Sequence, residues 1–253
     1  MALDPLLDFS GKVVLLTGAA SGFGAIMAQE FSERGARLVL GDINEAGLNE
    51  LAESLPGEVV TRLCNVTKEA DCQLLVETAV AEFGRLDIAI NNAGGGQPLG
   101  KLTTVTEETL DRQFALNAKS VALGMKHQIN QMLNQGEGGA ILNVSSMAGL
   151  GGAPTIGAYS MAKHAVIGAT RTAAIEFAKQ NIRVNAVCPF FSPTPLITES
   201  ALAPAQETLA QGCPMKRLGL PEEMTNVMLM LCSPTNTYMT GQAIAIDGGL
   251  SAS

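Results

Sequence analysis

Two residues able to move a proton stand in the stretch GAYSMAKHAV, residues 157–166: Tyr159 and Lys163, four positions apart. On a helix that spacing sets both side chains on one face. A free phenol has a pKa of about 10 and is a poor base at neutral pH, but a nearby ammonium favours the phenolate by roughly 1–3 units. Such a pair could exchange a proton with an oxygen on another molecule. The spacing alone does not separate that device from an ordinary surface pair. The decision rests on what else the chain carries and on the elements that would hold it.

A second group of residues suits an anion. TGAASGFG follows the β-branched run KVVLLT (12–17) and puts Gly18, Gly22 and Gly24 at a strand-to-helix turn. Gly18 can turn tightly, Gly22 lets backbone approach a pyrophosphate, and Gly24 lets helix pack on strand. The apolar-faced helix expected from Phe23 to Arg34 would offer its free N–H groups and positive dipole end to the phosphates. The pattern G-x-x-x-G-x-G shares the mechanism of the general dinucleotide fingerprint but not its letter. Asp42 closes RLVLGD eighteen residues after Gly24. A carboxylate there accepts hydrogen bonds from adenosine ribose hydroxyls and repels a 2′-phosphate. Ser21, Ile43 and Asn44 supply no cation for such a phosphate, so NAD is expected over NADP. Asp42 as N-cap of a helix from Glu45 is compatible with the same residues.

The elements that would position these groups can be read from periodicity. Short β-branched runs near 12–17, 37–42, 58–64, 86–91, 139–145, 182–188 and 243–247 alternate with helical patterns. Seven strands separated by helices imply right-handed crossovers and a mostly parallel sheet covered on both faces, an α/β doubly wound Rossmann fold. No linker or repeat divides the 253 residues, which are expected to form a single domain. Apolar residues make up 47% and charged residues 16%, fitting a packed globular chain. A net charge of -8 offers no basic patch, so neither nucleic acid nor an anionic membrane is expected as partner. The start, MALDPLLDFSGK, has neither a basic segment nor a long apolar run, and a cytoplasmic protein is expected. Cys64, Cys72, Cys188, Cys213 and Cys232 are scattered without a C-x-x-C pair, and His127 and His164 are the only histidines. Neither a disulfide framework nor a metal site is expected. His164 and His127 are read as structural.

With the glycine turn and Asp42 in place, NNAG (91–94), YSMAK (159–163) and TGQAIAIDGG (240–249) complete a set. In these motifs and their order, over residues 8–250, the chain resembles the short-chain dehydrogenase/reductase family of compact NAD(P)-dependent enzymes. The resemblance implies that Ser146, thirteen residues before Tyr159, is the catalytic serine, with Ser145 less well spaced. It implies that Tyr159 and Lys163 are the Y-x-x-x-K pair. Asn117 in FALNAKS matches the asparagine that holds a helix distortion and a water beside the lysine. Asn91, Asn92, Ala93 and Gly94 match the segment that stabilises the central strand and passes the adenosine ribose. In CNV, Asn65 stands where the family usually has aspartate and keeps an acceptor for the adenine amino group; Val66 follows it. Pro189, Ser192 and Thr194 match the segment meeting the nicotinamide carboxamide or diphosphate, while Phe190 replaces the family's glycine.

The resemblance also implies hydride transfer at a carbon bearing oxygen, with Tyr159 as acid/base tuned by Lys163 and Ser146 holding the substrate oxygen. The proline-rich segment of about 190–220, with a brief helical pattern at 203–211, reads as a substrate lid. The walls expected from Gly95–Pro98, Met147–Gly152 and Leu196–Met215 are apolar or small, with no cation before Lys216 and Arg217. A neutral secondary alcohol or ketone is therefore the expected substrate, with Phe190 or Phe191 packing into its pocket. A 3-oxoacyl thioester reductase is the alternative; those mostly use NADP, against which Asp42 speaks. A non-catalytic nucleotide-binding protein is the alternative of another class. Family members are commonly tetramers, and long helices expected at about 107–132 and 158–179 suit a symmetric homotetramer.

Overall fold

A computed structural model describes residues 4–252. In chain order its strands are β1 (Val13–Thr17), β2 (Arg37–Asp42), β3 (Val59–Leu63), β4 (Ile88–Asn91), β5 (Gly139–Val144), β6 (Ile182–Pro189) and β7 (Ala243–Ile246). The helices are α1 (Gly22–Glu33), α2 (Glu45–Ser54), α3 (Glu69–Phe83), α4 (Glu107–Phe114), α5 (Ser120–Gln135), α6 (Gly157–Phe177), α7 (Pro195–Thr198), α8 (Gln206–Gly212) and α9 (Pro221–Cys232). All seven strands form one parallel sheet in the order β3-β2-β1-β4-β5-β6-β7. This is the doubly wound architecture that the alternation of runs predicts.

Period-two alternation divides the core between the two sheet faces. On β1, Val14 and Leu16 join a cluster containing Met27, Phe31, Met224 and Met228 from α1 and α9. Val13 and Leu15 join the opposite cluster with Leu75, Met125, Ile129 and Val166 from α3, α5 and α6. Each fully buried side chain of this size contributes about 1.5–3 kcal/mol relative to exposure. The five cysteines are all buried and unbridged.

The strand order reverses at β1, which pairs with β2 on one side and β4 on the other. That reversal opens a crevice at the carboxyl ends of the strands, where α/β sheets take ligands. Thr17 staples its two walls: its hydroxyl donates to Ile90 O at 3.3 Å and accepts from the Asn92 and Ala93 N–H groups at 3.1 and 3.2 Å.

A buried polar network ties the sheet to the helices beneath the crevice. Asn91 and Gln128 exchange amide hydrogen bonds at 3.0 and 2.8 Å, Asn91 Nδ2 donates to Asn143 Oδ1 at 2.8 Å, and Asn143 Nδ2 donates to Thr170 Oγ1 at 2.9 Å. Closed networks of this kind fix one arrangement of their elements, because any slip strands a polar group away from water.

The helix expected at 107–132 is interrupted. A π-helical turn spans Ala115–Lys119 between α4 and α5, with Asn117 fully buried at its centre. Asn117 turns its amide out of the ladder to the 95 loop: Oδ1 accepts from Gly95 N at 3.0 Å, and Nδ2 donates to Gly95 O at 2.9 Å. Insertions of this type mark places where side chains are re-aimed. The second long helix, α6, ends at Phe177 in a short 3-10 turn.

Candidate active site

The site is assembled from the carboxyl ends of β1, β2, β4, β5 and β6. At the first, Gly18 has φ +66° and Gly22 φ +56°, conformations that glycine adopts without cost. A Cβ on Gly18 would stand 2.8 Å from Ala93 Cα, and one on Gly24 would lie 1.9 Å from Gly18 O, so neither position has room for a side chain. Ser21 is the exposed N-cap of α1 and makes no side-chain capping bond, while Phe23 packs on the core. The helix therefore opens with free N–H groups, suited to an anion.

Asp42 accepts from Ala20 N at 3.0 Å and Asn44 N at 2.9 Å, binding the glycine turn to the end of β2. The N-cap of α2 is Asn44, whose Oδ1 accepts from Gly47 N at 3.1 Å; the capping role considered for Asp42 belongs to its neighbour. Ile43 projects beside it, 71% exposed. Asn65 differs from expectation. Its Oδ1 accepts from the Thr67 N–H at 3.1 Å and from the Thr67 hydroxyl at 2.7 Å, so the oxygen expected to serve adenine is turned into the chain. Val66 and Ala93 line a small cavity with Thr17, Asn91 and Gln128. Asn92 is also engaged, donating to Thr17 O and Gly18 O, both at 3.0 Å. Gly94 leaves space beside the Asn117 amide; a Cβ there would meet Asn117 Oδ1 at 2.8 Å and Lys163 Nζ at 3.5 Å.

Ser146, Tyr159 and Lys163 converge where β5 meets α6. Ser146 caps a short 3-10 turn at Met147–Gly149, its Oγ accepting from Ala148 N at 3.1 Å. Three bonds stitch α6 to this strand end: Ser145 Oγ donates to Lys163 O at 2.9 Å, Ser160 Oγ to Ala148 O at 2.7 Å, and Lys163 Nζ to Val144 O at 2.8 Å. Burial holds Tyr159 above the ordinary phenol pKa, opposed by a hydrogen bond from Ser146 and reinforced by Cys188. Burial brings Lys163 down to about 8. Desolvation thus favours the neutral form of each, and within the protein alone it outweighs the lowering of Tyr159 expected from the ammonium. Cys188, fully buried nearby, is itself pushed up to about 11 by burial.

The segment after β6 closes the crevice. Thr194 packs across the glycine turn, its Cβ 3.6 Å from where a Cβ on Gly22 would stand. Ser192 is 3% exposed and its Oγ has no hydrogen-bond partner among the described residues. A buried hydroxyl without a partner is costly; together with the free α1 N–H groups it fits a bound dinucleotide carrying a carboxamide. Pro189 ends β6, and Phe190 N donates to Ile246 O at 2.9 Å. Phe190 needs no left-handed backbone, since the non-glycine residues with positive φ among the described residues are Thr155, Asn181 and Lys216. Its ring meets Phe191 edge-on at 4.8 Å and lines a cavity of about 130 Å³ with Cys213, Met215, Met224 and Ile246. None of Ser146, Tyr159 and Lys163 lines that cavity, so Phe190 packs toward the 213–219 segment and the Asp247–Gly249 turn.

The remaining candidates have structural partners. His127 Nε2 lies 3.3 Å from Glu69 Oε1, and His164 Nδ1 lies 2.9 Å from Ser160 O. The sequence places Gln97 only in the expected pocket wall Gly95–Pro98; its Oε1 accepts from the Tyr159 N–H at 2.6 Å, a contact for which a lone polar residue in a glycine-rich loop is a weak signal. No helix among the described residues is long and apolar enough to cross a membrane.

This geometry has many counterparts. The family model described as Enoyl-(Acyl carrier protein) reductase matches residues 18–251. The chain is 42% identical to the 3-oxoacyl-(acyl-carrier-protein) reductase FabG of Thermotoga maritima, covering 96% of this chain and 99% of that one. It is 38% identical to the cis-4-hydroxycyclohexanecarboxylate dehydrogenase of Sinomonas cyclohexanicum, covering 96% of this chain and 98% of that one. The crystal structure of 3-ketoacyl-(acyl-carrier-protein) reductase from Brucella melitensis complexed with NADH superposes with a TM-score of 0.91 at 34% identity, over 96% of this chain and 99% of that one. Matched almost end to end in sequence and fold, the chain belongs to the short-chain dehydrogenase/reductase family of nicotinamide-dependent oxidoreductases.

Proposed function

We propose that the protein is an NAD-dependent dehydrogenase/reductase that interconverts a neutral secondary alcohol and its ketone, with Tyr159 as the acid/base. The observation that carries this reading is the convergence of Ser146, Tyr159 and Lys163 at the end of β5, beside the crevice walled by Gly18–Gly24 and Thr194. The nicotinamide, when bound, supplies hydride acceptance or donation. Every other task falls to the chain. Asp42 accepts the ribose hydroxyls, and the α1 N–H groups take the pyrophosphate. Ser192 and Thr194 hold the carboxamide end. Ser146 donates to the substrate oxygen and keeps it against the Tyr159 hydroxyl, which takes or returns the proton. Lys163 exchanges its bond to Val144 O for the nicotinamide ribose hydroxyls, and its charge then favours the phenolate. Asn117 links Lys163 through water to solvent.

A neutral substrate is supported by the partners of the cations near the expected lid of about 190–220. Lys216 Nζ donates to Gln211 O at 2.8 Å, and Arg217 forms a bidentate pair with Glu223 at 2.6 and 2.7 Å. Both have partners within the chain. The cis-4-hydroxycyclohexanecarboxylate dehydrogenase among the relatives supports a cyclic substrate, but the compound in its name carries a carboxylate. A cyclohexanol dehydrogenase of Acinetobacter sp., 36% identical over 95% of this chain, supports one that is both cyclic and neutral.

A second reading, reduction of a 3-oxoacyl thioester, is favoured by the 42% identical relative. Asp42 weighs less against it than the residues alone imply, because a 3-ketoacyl reductase of the same fold was crystallised with NADH. The deciding measurement follows nicotinamide absorbance with NAD(H) and NADP(H) over cyclic alcohols, their ketones and a 3-oxoacyl thioester. Turnover of the thioester alone would overturn the first reading, and silence with every substrate would leave only a nucleotide-binding protein. A symmetric homotetramer goes with this reading, with Ile175 81% and Met161 40% exposed on α6, and light scattering tests it.

A further inference from the structure

The helix that carries Tyr159 begins without a cap of its own. Ile156, at the N-cap position of α6, has no side-chain acceptor, so the first N–H groups of the helix lack local partners. The lead-in is strained as well: Thr155, a β-branched residue, has φ +66°. One of the open N–H groups belongs to Tyr159 itself. Its partner comes from 62 positions away, where Gln97 Oε1 accepts at 2.6 Å.

Gln97 is itself held in place. Its loop is clamped on one side by Asn117, which brackets both the N–H and the carbonyl of Gly95 at 3.0 and 2.9 Å, and by Gln113 Nε2, which donates to Gly96 O at 2.8 Å. On the other side Gly100 N donates to Thr155 O at 2.9 Å. The Gln97 amide nitrogen makes only a 3.5 Å contact with the neighbouring Pro98 carbonyl, so the acceptor oxygen is the working end of the side chain. A rigid chain of contacts therefore runs from the π turn through the 95–100 loop to the first turn of α6.

We propose that Gln97 is a positioning residue for the reaction: by capping α6 at the Tyr159 N–H it sets where the Tyr159 hydroxyl stands relative to Ser146. The inference rests on the reading of Tyr159 as the acid/base. A small displacement of a group in proton transfer has a disproportionate effect on rate, because the reacting atoms must meet within hydrogen-bonding reach.

The test compares Gln97→Met, which keeps length and removes the acceptor, with Gln97→Glu, which keeps the acceptor and adds charge. The Met variant is expected to lose about tenfold in kcat for alcohol oxidation, equal to about 1.4 kcal/mol, while KM for NAD changes less than about twofold. The Glu variant should recover kcat to within about threefold. Its added negative charge should move the ascending limb of the alcohol-oxidation pH profile upward by about half a unit or more. Thermal unfolding of each variant separates loss of folded protein from loss of rate. Unchanged kcat in the Met variant, or equal impairment of both variants with no movement of the pH profile, would overturn the proposal. Should the Met variant not fold, Gln97→Asn, which keeps the amide and shortens its reach, takes its place: kcat lowered about tenfold with KM for NAD changed less than about twofold supports the positioning role, and unchanged kcat overturns it. Full activity in Tyr159→Phe would instead overturn the underlying acid/base reading.

Discussion

The amine of Lys163 stands 5.5 Å from the ring centroid of Tyr159, and burial pushes the two groups in opposite directions. Tyr159 is held as the phenol, and Lys163 is brought down to about 8, close enough to neutrality to lose its proton within the working range of many enzymes. On the proposed function, the resting phenol is the form that serves ketone reduction. It becomes a base only when charge is added nearby or the pH rises.

Opposite pH dependences in the two directions are expected from this. Tyr159 is raised, so phenolate for alcohol oxidation becomes available as pH increases, whereas ketone reduction uses the phenol and declines. Rates measured both ways from about pH 6 to about pH 10 should slope in opposite senses. Tyr159→Phe should lower both by about 10²–10⁴-fold, and parallel slopes would contradict the assignment.

Lys163 should also leave a mark on stability. Below about 8 both folded and unfolded chains carry its charge, so the cost of burying the ammonium is present in full. Between about 8 and the ordinary lysine value the folded state has released the proton while the unfolded chain still binds it, so stability rises with pH there. Lys163→Met should therefore be more stable than the native chain at pH 7, by on the order of 3 kcal/mol, and lose that advantage toward pH 10. Urea denaturation at the two pH values measures it.

At the ribose end, Asp42 should control cofactor choice. Asp42→Asn removes the charge and keeps one of the two acceptor oxygens, so only one of the Ala20 and Asn44 N–H groups retains its partner. The variant should show KM for NAD raised by about tenfold to 100-fold, as expected for loss of charge-assisted bonds, together with improved use of NADP. Initial rates with each cofactor give the ratio, and an unchanged ratio would remove Asp42 from the ribose site.

Beneath the crevice, Gln128→Leu should destabilise the fold. Asn91 Nδ2 would keep Asn143, but Asn91 Oδ1 would lose its donor in a buried setting. An unsatisfied buried group of this kind costs about 1–3 kcal/mol, readable as a lower midpoint in urea. A silent substitution would mean that water replaces the glutamine amide.

The sequence by itself determined the architecture and named most residues of the candidate site. Strand and helix periodicity, the left-handed glycines of the Gly18–Gly24 turn, Asp42 at a strand end and the four-residue step from Tyr159 to Lys163 are local features, legible because each depends on residues a few positions apart. Tertiary structure decided what local spacing cannot carry. Asn65 and Asn92 proved to be tied into the chain, and Phe190 turned toward Cys213 and Met215. The cap on the Tyr159 N–H came from Gln97, across 62 positions. The pKa directions of Tyr159 and Lys163 likewise belong to the fold, because removal of water around them, which spacing does not encode, outweighs the pairwise attraction that spacing implies.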